Sequence, residues 1–179
     1  MIAETVAKAE PRLLLELGSG SSTVFLAHLC KTIGRNGRVI SIEESPKFAE
    51  RTRSLLRLHK LLDQVSIIVA PIIPTQIDRW NGYCYDISQA NLASVMTGEE
   101  ADLVLIDGPM SAWTNRGDCR YGTLPLIRRW LANRAIVIID DAHRRRERRI
   151  IKRWTAEGIF QPVHSYSSLS WGITVGRSL

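Results

Sequence analysis

Five carboxylates stand at the ends of apolar runs, where a folded sheet would expose them at one edge. They are Glu16 in LLLELGSGSST, Glu43 in RVISIE, Asp107 in ADLVLIDGP, and Asp140 and Asp141 in AIVIIDDAH. A carboxylate in such a place can accept paired hydroxyl or ammonium hydrogens from a ligand, take up a proton, or hold a cation. The first of them is followed by Gly18, Ser19 and Gly20, and then by Ser22 and Thr23. Two glycines supply positive φ and close backbone approach, and serine and threonine start helices. A ligand could therefore lie against the bare amides of a helix N-terminus. The competing reading is a glycine turn that joins strand to helix and binds nothing.

Spacing adds to this. Glu43 lies 25 positions after Gly18, where adenosine-binding sheets place an acid whose two oxygens match the two ribose hydroxyls. Glu44 competes for that role, but Ser45 and Pro46 follow it as an N-cap and first-turn pair, which suits a solvated acid beside a helix start. The dinucleotide fingerprint G-x-G-x-x-G needs glycine at position 23, and the residue there is Thr23. Asp107 ends a nearly continuous apolar run, as a central parallel strand should, and sheets of this kind bind ligands beyond the carboxyl ends of their strands.

The elements that must position these groups follow from hydrophobic period and breakers. Helices are expected over 2–9, from 21 to about 34, over 46–60 with Phe48, Leu55 and Leu58 toward the sheet, and over 124–132. Another follows His143, with Ile150, Ile151 and Trp154 as its buried stripe. Strands are expected over 13–17, 37–43, 65–69, 101–107 and 135–140, with two closing strands at 159–164 and 170–176, the last antiparallel. Residues 78–86 read as an irregular loop pinned by Trp80 and Tyr85. Residues 110–122 read as a loop at the mouth of the cleft, carrying Trp113, Arg116, Arg120 and Tyr121.

A chain of 179 residues with 45% hydrophobic content suits one domain over 1–179. There are no repeats or low-complexity segments, and no run approaches a membrane span. The N-terminal stretch has neither signal nor transit character, so a cytoplasmic location is expected. Cys30, Cys84 and Cys119 have no metal or disulfide spacing and are expected to be reduced packing residues. The formal net charge of +6 is concentrated: residues 144–153 hold six arginines and one lysine against Glu147, and the rest of the chain is neutral. A general nucleic-acid-coating surface is thereby disfavoured, and the question becomes what one basic helix does. Either it is a solvated face balanced by Asp140 and Asp141, or its start, with Arg144 and Arg145, receives an anionic acceptor.

The E-x-G-x-G arrangement resembles motif I of the class I S-adenosylmethionine-dependent methyltransferases, and ELGSGSS, ISIE, VLIDGP and VIIDDAHR follow in that family's order. The resemblance implies an α/β, Rossmann-like three-layer sandwich with a seven-stranded, mostly parallel sheet and an antiparallel last strand. It implies S-adenosylmethionine as cofactor, bound by Glu16, Gly18, Ser19, Gly20, Ser22, Thr23, Glu43, Ala70 and Asp107. Asp107, Asp140 and Asp141 are similar to the Asp, Asp, Asn set of the catechol O-methyltransferase type, which holds magnesium, with Asp141 in place of Asn. Asp107, Asp140 or His143 would serve as the base. Because DGPM stands where members acting on amino groups of bases or glutamine carry D-P-P-Y, the expected acceptor is a small hydroxyl-bearing or anionic molecule. An RNA methyltransferase using the basic helix and a noncatalytic S-adenosylmethionine-binding module remain as alternatives. The chain also starts close to its first strand, without the longer N-terminal extension that often covers the acceptor site in that family.

Overall fold

The computed structural model describes residues 1–33, 37–88, 92–110, 118–168 and 171–179. Helix α1 (Ile2–Ala9) leads into β1 (Leu13–Leu17), α2 (Ser21–Thr32), β2 (Arg38–Glu43), α3 (Pro46–Leu58) and β3 (Val65–Val69). A hairpin of β4 (Ile72–Ile77) and β5 (Trp80–Tyr85) follows, then α4 (Leu92–Met96) and β6 (Ala101–Ile106). The chain continues through α5 (Thr123–Ile127), β7 (Leu131–Ile139), α6 (Arg145–Ala156), β8 (Phe160–Ser167) and β9 (Gly172–Ser178).

The main sheet has seven strands in the order β3-β2-β1-β6-β7-β9-β8. All neighbours are parallel except β9, which runs antiparallel between β7 and β8. Every residue of β1 is buried, so the side-chain alternation of this central strand separates the two cores. Leu13, Leu15 and Leu17 pack on the side covered by the hairpin, α5 and α6, with Ile150 and Trp154 among the buried residues. Leu14 packs on the other side with Val6 of α1, Leu26 of α2 and Leu56 of α3.

Four local readings need correction. The face that α3 buries carries Ala49, Thr52 and Leu56, and Phe48 and Leu58 are exposed. Ala49, Thr52 and Leu56 stand at i, i+3 and i+7 on one face with Leu55 partly buried beside it, and Phe48, one position off that face, lines the cleft. Residues 78–86 are mostly strand, since the register from Ile72↔Tyr85 to Ile77↔Trp80 closes a hairpin. Trp80 and Tyr85 do pin it, both being buried. The helix expected over 124–132 ends at Ile127, passes through a 3-10 turn (Arg128–Trp130), and gives way to a strand starting at Leu131. Among the two glycines of the first turn only Gly18 has left-handed backbone, at φ 97°, while Gly20 is extended at φ 162°. Trp113 and Arg116 lie outside the described residues.

Among the described residues no helix is long and apolar enough to cross a membrane. All three cysteines are buried thiols.

Candidate functional site

Register determines where the acids come together. Leu17 pairs with Ile42 and with Ile106, and Ile106 pairs with Ile139. The residues just beyond these ends, Gly18, Asp107 and Asp140, therefore line up along one sheet edge beside Glu43 at the end of β2. The chain runs outward from β1 to β2 on one side and returns to β6 on the other, so the crevice between the two turns is a topological switch point.

The two turns touch. Asp107 N donates to Leu17 O at 3.0 Å, and Gly18 N donates to Ile42 O at 2.8 Å. A Cβ on Gly18 would lie 2.9 Å from Gly108 N, so glycine is required there by contact as well as by φ. These turns form the floor of a cleft of about 280 Å³, with Glu43 and Ser19 on one wall and Asp107, Asp141, Arg120 and Arg144 on the other.

Glu16 is fully buried within β1 and braces the turn from below. Thr23 Oγ1 donates to its Oε2 at 2.6 Å and accepts from Gly20 N at 2.9 Å, and Ser41 Oγ donates to the same carboxylate oxygen at 2.8 Å. Its Oε1 has no hydrogen-bond partner among the described residues. Burial pushes the Glu16 carboxyl up to about 7, against the opposing effect of the hydrogen bonds from Thr23 and Ser41.

Glu43 is also buried, but at the cleft. Its Oε2 accepts from Ser19 N at 2.8 Å and Ser19 Oγ at 2.9 Å, and its Oε1 accepts from Ser45 N at 2.9 Å. A carboxylate offers about four lone-pair positions, so Oε1 keeps one for a ligand. A second opens if Ser19 Oγ turns wholly to Thr52 Oγ1, already 3.1 Å away. Glu44 borders the same cleft, and it is Glu43 whose carboxylate is tied into the glycine turn through Ser19 N.

The other wall holds a residue that the sequence reading named only as part of a loop. Arg120 is 4% exposed. Its Nη2 donates to Asp107 O, its Nη1 to Asp140 O at 3.2 Å, and its Nε to Pro109 O at 3.4 Å. Its guanidinium also lies 3.7 Å from Asp107 Oδ1, 3.5 Å from Asp141 Oδ2 and 3.5 Å from Glu147 Oε1. Asp141 pairs in addition with Arg144 Nη1 at 2.7 Å. Asp107 is held above the usual carboxylate range by burial first and by the Asp140 charge second, with Arg120 acting the other way. A lone arginine in a loop carries no periodic or motif signal, and only burial among strand ends singles it out.

This arrangement does not fit the expected magnesium site. Magnesium requires several oxygens at about 2.0–2.1 Å in near-octahedral geometry, and the space between Asp107 and Asp141 holds a guanidinium instead. Asp140 is taken up by the turn itself, its Oδ1 accepting from Asp141 N at 2.8 Å. His143 is not brought to the cleft either. It lines a separate groove with Arg148, Ile151 and Tyr166, because the turn after β7 is packed against β9, where a Cβ on Gly172 would meet His143 N at 2.7 Å. Ala70 is buried in the core and does not line the cleft; its N donates to Glu43 O at 2.8 Å, so it serves the backbone behind that acid.

Known proteins share the fold and part of the sequence. A catechol O-methyltransferase of Mycobacterium tuberculosis is 37% identical over 68 residues, which is 37% of this chain and 30% of that protein's length. The O-methyltransferase from Bacillus cereus, solved in complex with SAH, superposes over 99% of this chain and 79% of its own at a TM-score of 0.72 and 18% identity. A putative rRNA-methylase from Clostridium thermocellum superposes over 99% of this chain and 95% of its own at a TM-score of 0.65 and 14% identity. At such identities the structural likeness establishes the fold. The family described as Methyltransferase domain matches residues 15–142, from within β1 through the turn after β7. That span contains both walls of the cleft apart from Arg144, and the chain belongs to this methyltransferase-domain family.

Proposed function

We propose that the protein transfers a methyl group from S-adenosylmethionine to an oxygen atom of a small acceptor. The observation that carries this reading is that Glu43 and Asp107 face each other across one cleft, whose floor is the contact between Gly18 and Gly108. The names of similar proteins support the oxygen acceptor.

The residues suit an adenosyl ligand. Glu43 Oε1 has a lone pair for a ribose hydroxyl, and the Gly18 turn exposes backbone where a methionyl carboxylate would approach. Glu16 Oε1 is a buried acceptor without a partner among the described residues, and Glu16 would serve the amino-acid end of the ligand through the turn it braces. When bound, S-adenosylmethionine would supply an electrophilic methyl carbon on a sulfonium whose sulfur keeps the S–C electron pair. The protein's contribution is alignment and charge. Asp107, at the acceptor side, takes the hydroxyl proton, so the sulfonium charge leaves the reaction as a proton.

Calorimetric titration with S-adenosylhomocysteine tests the cofactor half. Glu43→Ala is expected to weaken binding about tenfold or more, because ribose hydroxyls lose a buried acceptor worth about 1–3 kcal/mol, while Glu44→Ala is expected to have little effect. Equal effects would reject the assignment. Release of S-adenosylhomocysteine in the presence of catechol tests the transfer.

An RNA acceptor is the second reading, favoured by the exposed Arg145, Arg148 and Arg149 on α6. It requires a steep loss of affinity with salt, at a slope of about −0.7 per single-strand phosphate contacted. Salt-independent turnover of a small acceptor argues against it. A noncatalytic module would bind S-adenosylhomocysteine and turn over nothing.

A further inference from the structure

The cleft's acceptor wall is built around a buried positive charge. Arg120 gathers the carbonyl oxygens of Asp107, Pro109 and Asp140. It also faces three carboxylates, at 3.7 Å for Asp107, 3.5 Å for Asp141 and 3.5 Å for Glu147. Carbonyls from strand ends together with converging carboxylates are the ligand set of a hard divalent cation. Here the cation is covalently part of the chain. A guanidinium keeps its charge inside a protein, so this cation cannot be shed. Its desolvation at 4% exposure is offset by the surrounding oxygens.

We propose that Arg120 is the resident cation of this site, occupying the space between Asp107 and Asp141 that a divalent ion would need, and that its fixed charge, with no metal, is what the acceptor oxygen faces. The inference rests on the methyltransferase reading above. A metal placed at the same carboxylates would sit against a fixed positive charge only a few ångströms away, in surroundings that screen the repulsion weakly. Arg144 adds a second guanidinium at the rim of the cleft, 2.7 Å from Asp141 Oδ2 and half exposed. An entering oxygen that becomes negative therefore meets two guanidiniums joined through one carboxylate. This favours acidic hydroxyls, of the phenol or catechol class, over plain alcohols. During transfer the oxygen lone pair forms the O–C bond, the S–C pair returns to sulfur, and Asp107 receives the hydroxyl proton. Arg120 keeps its protons throughout.

The test titrates Mn2+ into the full-length protein by calorimetry and by the paramagnetic signal of free Mn2+, alongside turnover of catechol with and without EDTA. The wild type is expected to show no Mn2+ binding that depends on Asp141, and unchanged transfer in EDTA. Arg120→Ala is expected to gain Mn2+ binding by about tenfold or more, removed again by Asp141→Asn. It is also expected to lose turnover with little change in S-adenosylhomocysteine affinity and to recover turnover in added guanidinium, which a purely structural defect would not do. Arg120→Lys, which keeps the charge, is expected to keep Mn2+ out if Arg120→Ala fails to fold. Wild-type Mn2+ binding that Asp141→Asn abolishes, loss of turnover in EDTA with recovery in Mg2+, or a folded Arg120→Ala that gains no Mn2+ would each overturn the proposal. Failure to bind S-adenosylhomocysteine would instead reject the methyltransferase reading, with the Mn2+ results still reporting on Arg120.

Discussion

Glu16 illustrates how a motif acid can act through the backbone as well as on a ligand. It sits opposite Ser41 in the sheet register, and its Oε2 collects Thr23 and Ser41 while Thr23 in turn accepts from Gly20 N. The acid thus shapes the glycine turn from below, and Glu43 shapes it from above through Ser19. Burial raises the folded-state value of Glu16 from 4.5 to about 7, so the folded protein holds this proton more tightly than the unfolded chain. The contribution to stability is fully present below about 4.5 and is lost as pH rises through about 7, an effect of about 3 kcal/mol. Urea unfolding near pH 5 and near pH 8 should show this decline in the wild type, and Glu16→Gln should reduce it. A mutant whose stability falls as steeply as the wild type's would show that another group is responsible.

At the scale of elements, α6 is both the most basic segment and one of the best anchored. Its inner face places Trp154, fully buried, between Tyr121 and Phe160 at ring separations of 6.4 Å each, and Trp154 Nε1 donates to Tyr121 O at 3.0 Å. Arg153 lies 3.9 Å over the Tyr121 ring, and Tyr121 Oη donates to Glu157 at 2.6 Å. Glu147, the helix's buried acid, reaches Arg120, so the same helix that carries the outer arginines also borders the acceptor wall. Trp154→Ala should cost about 3–5 kcal/mol through cavity formation and an orphaned carbonyl. Denaturant unfolding checks the magnitude. A loss below about 1 kcal/mol would mean that α6 is held mainly by its ion pairs.

For the molecule as a whole, the cleft is assembled from turns that are distant in sequence and stay in contact only while the sheet is intact. A ligand spanning the Glu43 and Asp107 walls should therefore stabilise the entire domain. At about 100 times its dissociation constant, S-adenosylhomocysteine should contribute about 2.7 kcal/mol, which corresponds to a rise in Tm of about 5–10 °C at this chain length. Scanning calorimetry with and without the ligand measures this, and an unchanged Tm at saturating ligand would separate the cleft from the folding core.

Much of this was legible in the residues because it depends on local chemistry. Continuous apolar runs ended by glycine and acid mark parallel strands and the edge where they stop, and the ELGSG turn, the acid closing RVISIE and the acid after VLI all stand at that edge. What the sequence left undetermined depends on three-dimensional packing. Nothing in a linear pattern distinguishes Arg120, in a loop, from an exposed arginine; its role follows from burial among strand ends that are adjacent only after β6 and β7 pair. Asp140 and His143 lie within three residues of Asp141, yet across a turn with left-handed backbone at Asp141, φ 58°, Asp141 lines the cleft, Asp140 accepts from Asp141 N, and His143 lines a separate groove. Sequence proximity therefore gathered the acids at one edge, and the turn geometry decided which of them face the cleft.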